Sequence, residues 1–132
     1  LTILFDDRTT VGMVRLYAPD FRLIGRRIIP GGAKPIAIRY SPDGELLAVG
    51  FLDVAAVSVA SGRDLSLLYQ PAATGLTGQV NLTTVAWSAD GSALYAGGDY
   101  RGGGLTPVYR WPERGRGPVQ PLPLQRNRIT EV

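Results

Sequence analysis

The chain has 132 residues, with 17 Gly, 10 Pro and a net charge of +3. It contains neither Cys nor His, which excludes a disulfide scaffold, the usual zinc sites and nucleophilic catalysis by a Ser-His-Asp or Cys-His arrangement. No apolar stretch approaches the ~20 residues needed to cross a bilayer, so we expect no membrane partner. The compartment stays undecided, with the cytoplasm favoured.

Residues 1–32 carry the pattern of three strands. Leu1 to Phe5 is an apolar run, and Gly12 to Tyr17 follows it after a polar turn. Phe21 to Ile29 mixes arginines with apolar residues, which suits an outermost strand with one solvated edge. We interpret this segment as strands two to four of a unit whose first strand is absent.

Residues 33–79 predict a complete unit of four strands. Apolar residues alternate at 36, 38 and 40, and residues 46–52 are apolar on both faces, as in a strand covered on both sides. Between them, Asp43 and Gly44 end a Ser-Pro-Asp-Gly turn, in which Gly adopts positive φ without a Cβ penalty. Residues 54–59 and 65–69 predict the third and fourth strands.

The same pattern returns about 47 residues later, where Asp43 and Gly44 correspond to Asp90 and Gly91. This second complete unit occupies residues 80–125. Residues 126–132 match the start of the unit before and predict the first strand of a further or split unit. A recurrence of this length, with four antiparallel strands per unit, is typical of β-propeller blades. We therefore predict an all-β fold, with the whole chain as one propeller segment.

The predicted strands amount to three blades, whereas propellers need about four to eight. Two arrangements complete a ring. Either the chain belongs to a larger propeller, or two copies meet and residues 129–132 of one copy pair with Leu1–Phe5 of the other. In both cases the isolated chain exposes two blade faces of a size that marks an interface. The expected partners are thus further blades of the same protein or a second copy.

The segments SPDGELLAVGFLD, VSVASG and WSADGSALYAGGD resemble the WD-repeat family of β-propellers. Tyr17, Ala60 and Trp111 stand where that family has a Trp at the end of its third strand. Asp53 and Asp99 stand where it has an Asp in the turn between its second and third strands, as does Asp6 or Asp7. Because the chain has no His, the family's Gly-His pair and the buried hydrogen-bond network built on it cannot form.

The resemblance implies a non-catalytic scaffold for protein–protein interaction. In bacteria such arrays often follow effector domains, for example caspase-like proteases or signalling NTPases, and act as their sensor modules. The resemblance therefore favours a sensor or scaffold module within a larger bacterial protein, with the partner unidentified.

Aspartates in the predicted turns are interpreted as structural. We expect Asp43 and Asp90 to be structural turn residues, since Asp tolerates the bridge region of the backbone, and Asp53 and Asp99 to accept backbone N–H bonds within their own turns. The two acids at residues 6 and 7 have the character of half a calcium site. We favour the structural interpretation for them too, as turn residues that accept local backbone N–H bonds. The sequence predicts no catalytic residue, metal or cofactor.

Two surface features are candidates for binding a protein partner. Tyr100 and Arg101 place an aromatic ring beside a cation on an enlarged hairpin, a pairing enriched in interface hot spots. Arg110 and Trp111 open a basic segment that interleaves arginine with an aromatic residue, a pattern that single-stranded nucleic acids also bind. The basic residues are spread over several turns with acids nearby, so a solvated surface is favoured over nucleic acid.

Three functional hypotheses stay open. The favoured one is the interaction scaffold. The second is a propeller-type enzyme or enzyme accessory with its site on the central channel, which needs convergent acids, bases or metal ligands on the first strands. The predicted first strands carry only Arg39 and Glu131 as charged residues, which counts against it. The third is a purely structural segment of a longer ring.

Overall fold

Short β-strands joined by tight turns form the regular structure of the computed structural model, which describes residues 2–5, 12–76, 78–102 and 106–125. In chain order they are β1 (Thr2–Phe5), β2 (Gly12–Tyr17), β3 (Leu23–Arg27), β4 (Pro35–Tyr40), β5 (Leu46–Phe51), β6 (Val57–Ser61), β7 (Leu67–Tyr69), β8 (Thr84–Trp87), β9 (Leu94–Gly97), β10 (Thr106–Trp111) and β11 (Gln120–Gln125). A single turn of 3₁₀ helix covers Glu113–Gly115. The predicted all-β class is confirmed.

The strands pair into three antiparallel meanders within the described residues. The first sheet has the order β1-β2-β3, the middle sheet β4-β5-β6-β7 and the third sheet β8-β9-β10-β11. Each strand pairs with the strand that precedes or follows it in the chain, as short hairpin connections require. These sheets do not close into a ring within the described part of the chain.

β5 is the most buried strand of the middle sheet, and both of its faces are covered. Leu46 and Ala48 join the apolar cluster shared with the third sheet, whereas Leu47, Val49 and Phe51 join the cluster shared with the first sheet. Side chains of a strand alternate between its faces, so an apolar run without polar interruption must find a neighbour on each side. The prediction that both faces are covered is confirmed for residues 46–51, whereas Leu52 is exposed and lies in the following bend.

Backbone groups also join neighbouring sheets. The N–H of Leu82, before β8, donates to the carbonyl of Phe51 at 3.2 Å, and the N–H of Gly12 donates to the carbonyl of Ala33 at 2.6 Å. At Gly50 the approach is so close that a Cβ would overlap the carbonyl oxygen of Leu82. Gly is therefore required at this position for the third sheet to reach β5.

Some strand bounds differ from the sequence prediction. The third strand of the middle sheet begins at Val57 rather than at residue 54, because residues 52–55 form a bend. The fourth begins at Leu67, since Leu65 is buried with φ of 65° and its N–H donates to the carbonyl of Ser61. The 3₁₀ turn at Glu113–Gly115 was not predicted. The predicted strand at 129–132 and the acids at 6 and 7 lie outside the described residues.

Candidate partner-binding surface

The turn between β4 and β5 is closed by side-chain hydrogen bonds. Asp43 accepts the hydroxyl of Ser41 at 2.6 Å and the N–H of Glu45 at 3.0 Å, and Gly44 adopts φ of 74°. The hydroxyl oxygen of Ser41 in turn accepts the N–H of Leu46 at 3.1 Å. The bond from Ser41, followed by that from Glu45, lowers the pKa of Asp43 from 3.8 to about 2. The ionised carboxylate is thus the acceptor on which the turn depends.

The turn between β8 and β9 has the same set of bonds. Asp90 accepts the N–H of Ser92 at 3.0 Å and the hydroxyl of Ser88 at 2.7 Å, and Gly91 adopts φ of 75°. The hydroxyl oxygen of Ser88 accepts the N–H of Ala93 at 3.0 Å. The bonds from Ser92, first from its backbone and then from its side chain, lower the pKa of Asp90 to about 2. Asp90 and Gly91 therefore have the same structural position as their counterparts in the preceding sheet.

Contacts between the middle and third sheets occupy the surface beside these turns. Nη2 of Arg114 lies 2.9 Å from Oδ2 of Asp43. The backbone carbonyl of Arg114 accepts the hydroxyl of Tyr69 at 2.6 Å, and the guanidinium of Arg116 lies 4.3 Å from the centre of the Tyr69 ring. The arginines at this end of the sheets are thus engaged within the chain.

Asp53 lies in the bend between β5 and β6, and two of its hydrogen bonds come from a distant segment of the chain. Its carboxylate oxygens accept the N–H groups of Ala33 and Lys34, both at 2.9 Å, from the segment that enters β4. Partial burial raises the pKa of Asp53, but these two bonds outweigh it, so the pKa lies below 3.8. Asp53 therefore ties together segments about twenty residues apart.

Asp99 makes a comparable link in the third sheet. Its N–H donates to Oδ1 of Asn81 at 2.9 Å, and Nδ2 of Asn81 donates to Oδ2 of Asp99 at 3.1 Å. The side chain of Gln79 donates to the carbonyl of Asp99 at 2.9 Å. Asp99 therefore connects the end of β9 to the segment that enters β8.

Tyr100 and Arg101 follow Asp99 on the hairpin that leaves β9, at the far end of the sheet from Asp90. Tyr100 forms an isolated antiparallel bridge with Gln79, and the N–H of Arg101 donates to the carbonyl of Gly78 at 2.7 Å. The Tyr100 ring packs so closely on Gly102 that a Cβ there would overlap it. Tyr100 is half-buried, whereas the exposed side chain of Arg101 has no hydrogen bond or ion pair with the described residues. Tyr100 and Arg101 thus place a half-buried aromatic ring beside a cation that has no partner among the described residues.

Arg110 and Trp111 do not join that surface. Trp111 is only 1% exposed, packs within 6.3 Å of Tyr109 between ring centres, and donates its indole N–H to the carbonyl of Ala72 at 2.8 Å. The prediction that Trp111 binds a partner is therefore wrong, because its ring fills the core between the middle and third sheets. Arg110 is half-buried, and its guanidinium contacts the side chains of Tyr95 and Gln120.

Sequence reasoning missed an exposed apolar surface around β3. Phe21 is 87% exposed, and Leu23, Ile24 and Ile28 are each exposed by 45% or more. The signal in the sequence was a run of large apolar residues between arginines. That run predicted an outermost strand, but not that its apolar side chains would be exposed. Exposure of this kind cannot be read from composition, since the same residues would be buried if another strand or sheet covered them.

Among the described residues, no group of three or more acidic side chains is placed to hold a metal ion. Within those same ranges, no helix has the length and apolar character that crossing a bilayer requires. A scan against protein-family models finds no match for the chain, and a search of curated proteins also finds none.

Proposed function

We propose that this chain is a segment of a WD-like β-propeller that acts as a non-catalytic scaffold for a protein partner. The observation that carries the proposal is the burial of β5 on both faces, between two other antiparallel meanders. Propeller blades are sheets of this kind, stacked face to face through apolar side chains on both sides. The matching hydrogen bonds around Asp43 and Asp90 support the view that the middle and third sheets are repeats of one unit.

Further sheets are expected beside the first and third ones. The first sheet has three described strands where each of the others has four, so the edge of β1 has room for one more strand. We propose that the missing neighbours come either from other blades of a longer protein or from a second copy of this chain. A folded, monodisperse monomer of the isolated chain in analytical ultracentrifugation would contradict this arrangement; a defined oligomer would support the second source.

The hairpin that carries Tyr100 and Arg101 is the proposed docking surface. The Tyr100 ring packs against Gly102, and the guanidinium of Arg101, which has no partner among the described residues, can meet a carboxylate of the partner. Tyr and Arg are both enriched among the residues that contribute most to protein interfaces. This surface fits a partner that offers an acidic residue beside an apolar pocket.

Photo-crosslinking tests this surface directly. A benzoylphenylalanine placed at Arg101 is expected to capture a discrete protein from the native extract, and Tyr100→Ala in the same molecule is expected to abolish the product. The matched control places the crosslinker at Arg63, whose side chain is 78% exposed in the turn between β6 and β7, far from the hairpin. Equal crosslinking from both positions, or a product that survives Tyr100→Ala, would contradict the proposal.

A further inference from the structure

A second exposed surface lies at the outermost strand of the first sheet. β3 ends the order β1-β2-β3 and pairs only with β2 among the described residues, which leaves its other backbone edge without a partner strand. Such an edge offers N–H and C=O groups to an additional strand. Large apolar side chains surround the edge and are exposed, namely Phe21 (87%), Leu23 (45%), Ile24 (57%) and Ile28 (55%).

The turn that leads into β3 presents Phe21 to solvent. The N–H of Ala18 donates to the carbonyl of Arg22 at 2.9 Å, and the N–H of Phe21 donates to the carbonyl of Ala18 at 2.8 Å. Phe21 adopts φ of 67°, in the left-handed region that residues with a side chain rarely occupy. A large ring held in solvent by a strained turn is an arrangement found at binding sites, where the ring is buried by the ligand.

The face of the first sheet that points away from the middle sheet carries unpaired positive charge. Val14 and Leu16 of β2 face the middle sheet, so Arg15 between them lies on the opposite face. Arg15 is directly opposite Arg26 of β3, and like charges at such a position repel each other. Among the described residues, the buried Nε of Arg15 has no hydrogen-bond partner, and the Arg26 side chain has none either.

A carboxylate would supply the negative charge that Arg15 and Arg26 lack among the described residues. It would form an ion pair with Arg26, and its charge would offset the repulsion between the two guanidinium groups. We propose that the free edge of β3 binds an extended acidic segment of a partner protein, which adds to the first sheet as a further strand. In that strand, acidic side chains lie beside Arg15 and Arg26, and the alternate apolar side chains lie on the other face. On that face Gly25 leaves open space, since a Cβ there would meet no atom within 4 Å.

The same charges argue against other occupants. If the β3 edges of two copies paired, Arg22 and Arg26 of one copy would approach the same arginines of the other, which opposes self-pairing. A nucleic acid would neutralise the arginines but has no peptide N–H and C=O groups to pair with the free edge of β3. This surface belongs to a different sheet from the Tyr100–Arg101 hairpin, so the two proposals can fail independently.

A synthetic peptide is the probe for this edge. A monomeric peptide of about eight residues that alternates Glu with Val matches a strand of ordinary length. With isotope-labelled protein, we expect saturable binding and chemical-shift changes concentrated in the amides of residues 23–28. Arg26→Glu is expected to weaken binding by about tenfold or more, since it turns an attraction into a repulsion. The control Arg39→Glu makes the same change of charge at an exposed residue of β4 in the middle sheet and should leave the affinity unchanged.

Two further ligands separate strand addition from simple attraction of charge. The same peptide with alternate backbone N–H groups methylated keeps its charge but cannot form the backbone hydrogen bonds that join two strands. We therefore expect it not to bind. A peptide with Lys in place of Glu is also expected not to bind. The proposal would be overturned if either of these peptides bound as well as the Glu-Val peptide. It would also be overturned if a short oligonucleotide displaced the Glu-Val peptide, or if self-association protected the amides of residues 23–28 in the absence of peptide.

Discussion

Replacing Asp53 tests how the entry to the middle sheet is held. Its carboxylate accepts the N–H groups of Ala33 and Lys34, each at 2.9 Å. Hydrogen bonds to a charged group contribute about 1.5–3 kcal/mol each, but Asp53 is exposed and water can replace part of what is lost. We therefore expect Asp53→Ala to lower the free energy of unfolding by about 1–2 kcal/mol in total, measured by urea titration with an unchanged m-value.

Two variants make this prediction specific. Asp53→Asn retains one acceptor oxygen, so its free energy of unfolding should fall by about half as much as that of the Ala variant. Asp64→Ala removes an exposed carboxylate that accepts the N–H and hydroxyl of Ser66 at 2.9 and 2.7 Å, but these bonds span only two residues. We expect that control to cost clearly less than Asp53→Ala. Equal losses for Asp53→Ala and Asp64→Ala, or no loss at Asp53, would refute the long-range role of this carboxylate.

Three further predictions concern the core and the turns. Leu47→Ala empties a fully buried site between the first and middle sheets and should cost about 2–5 kcal/mol in urea unfolding. Gly50→Ala places a Cβ against the carbonyl of Leu82 and should cost about 1–3 kcal/mol in the same assay. The lowered pKa values of Asp43 and Asp90 mean that their stabilisation is present above pH 3.8 and is lost as the pH falls through about 2. The variant with Asn at both positions should therefore show a smaller drop in Tm than the wild type between pH 5 and pH 2.

Matched controls exist for each of these changes. Leu67→Ala truncates a Leu that is 39% exposed, and Gly25→Ala adds a Cβ where no atom lies within 4 Å, so both should change stability by less than about 1 kcal/mol. Asp20→Asn is the control for the acid titration, because its exposed carboxylate accepts the N–H of Arg22 at 3.1 Å across only two residues, so its Tm profile should follow the wild type. The packing assignment would be contradicted if Gly25→Ala lowered stability as much as Gly50→Ala. The turn assignment would be contradicted if the Tm of the double Asn variant fell with pH as the wild type does.

The fold was largely predictable because its signals are local. Gly12–Tyr17 is predicted with the bounds that the structure has, since both ends of this strand are marked by turn residues. The apolar run at 46–52 predicts a strand with both faces buried, because no polar residue interrupts it. The Gly in each Ser-x-Asp-Gly turn has positive φ for the same local reason, that only Gly accepts it without a Cβ penalty.

The candidate site was less predictable because it depends on contacts between distant residues. An Asp after an apolar run predicts a turn, but nothing nearby shows that Asp53 bonds to a segment twenty residues earlier. Trp111 was assigned to the surface on the arginines around it, whereas its ring is buried through contacts with the other sheet. The exposed ring of Phe21 was missed for the opposite reason, since an apolar residue next to a strand is usually covered.

The placement of the middle sheet between the other two is the claim on which the proposed function depends, and methyl NOEs along β5 test it most directly. The methyl groups of Leu46 and Ala48 should show NOEs to the third sheet, and those of Leu47 and Val49 should show NOEs to the first sheet. NOEs from both sets to the same sheet, or the absence of inter-sheet NOEs from one set, would contradict the account.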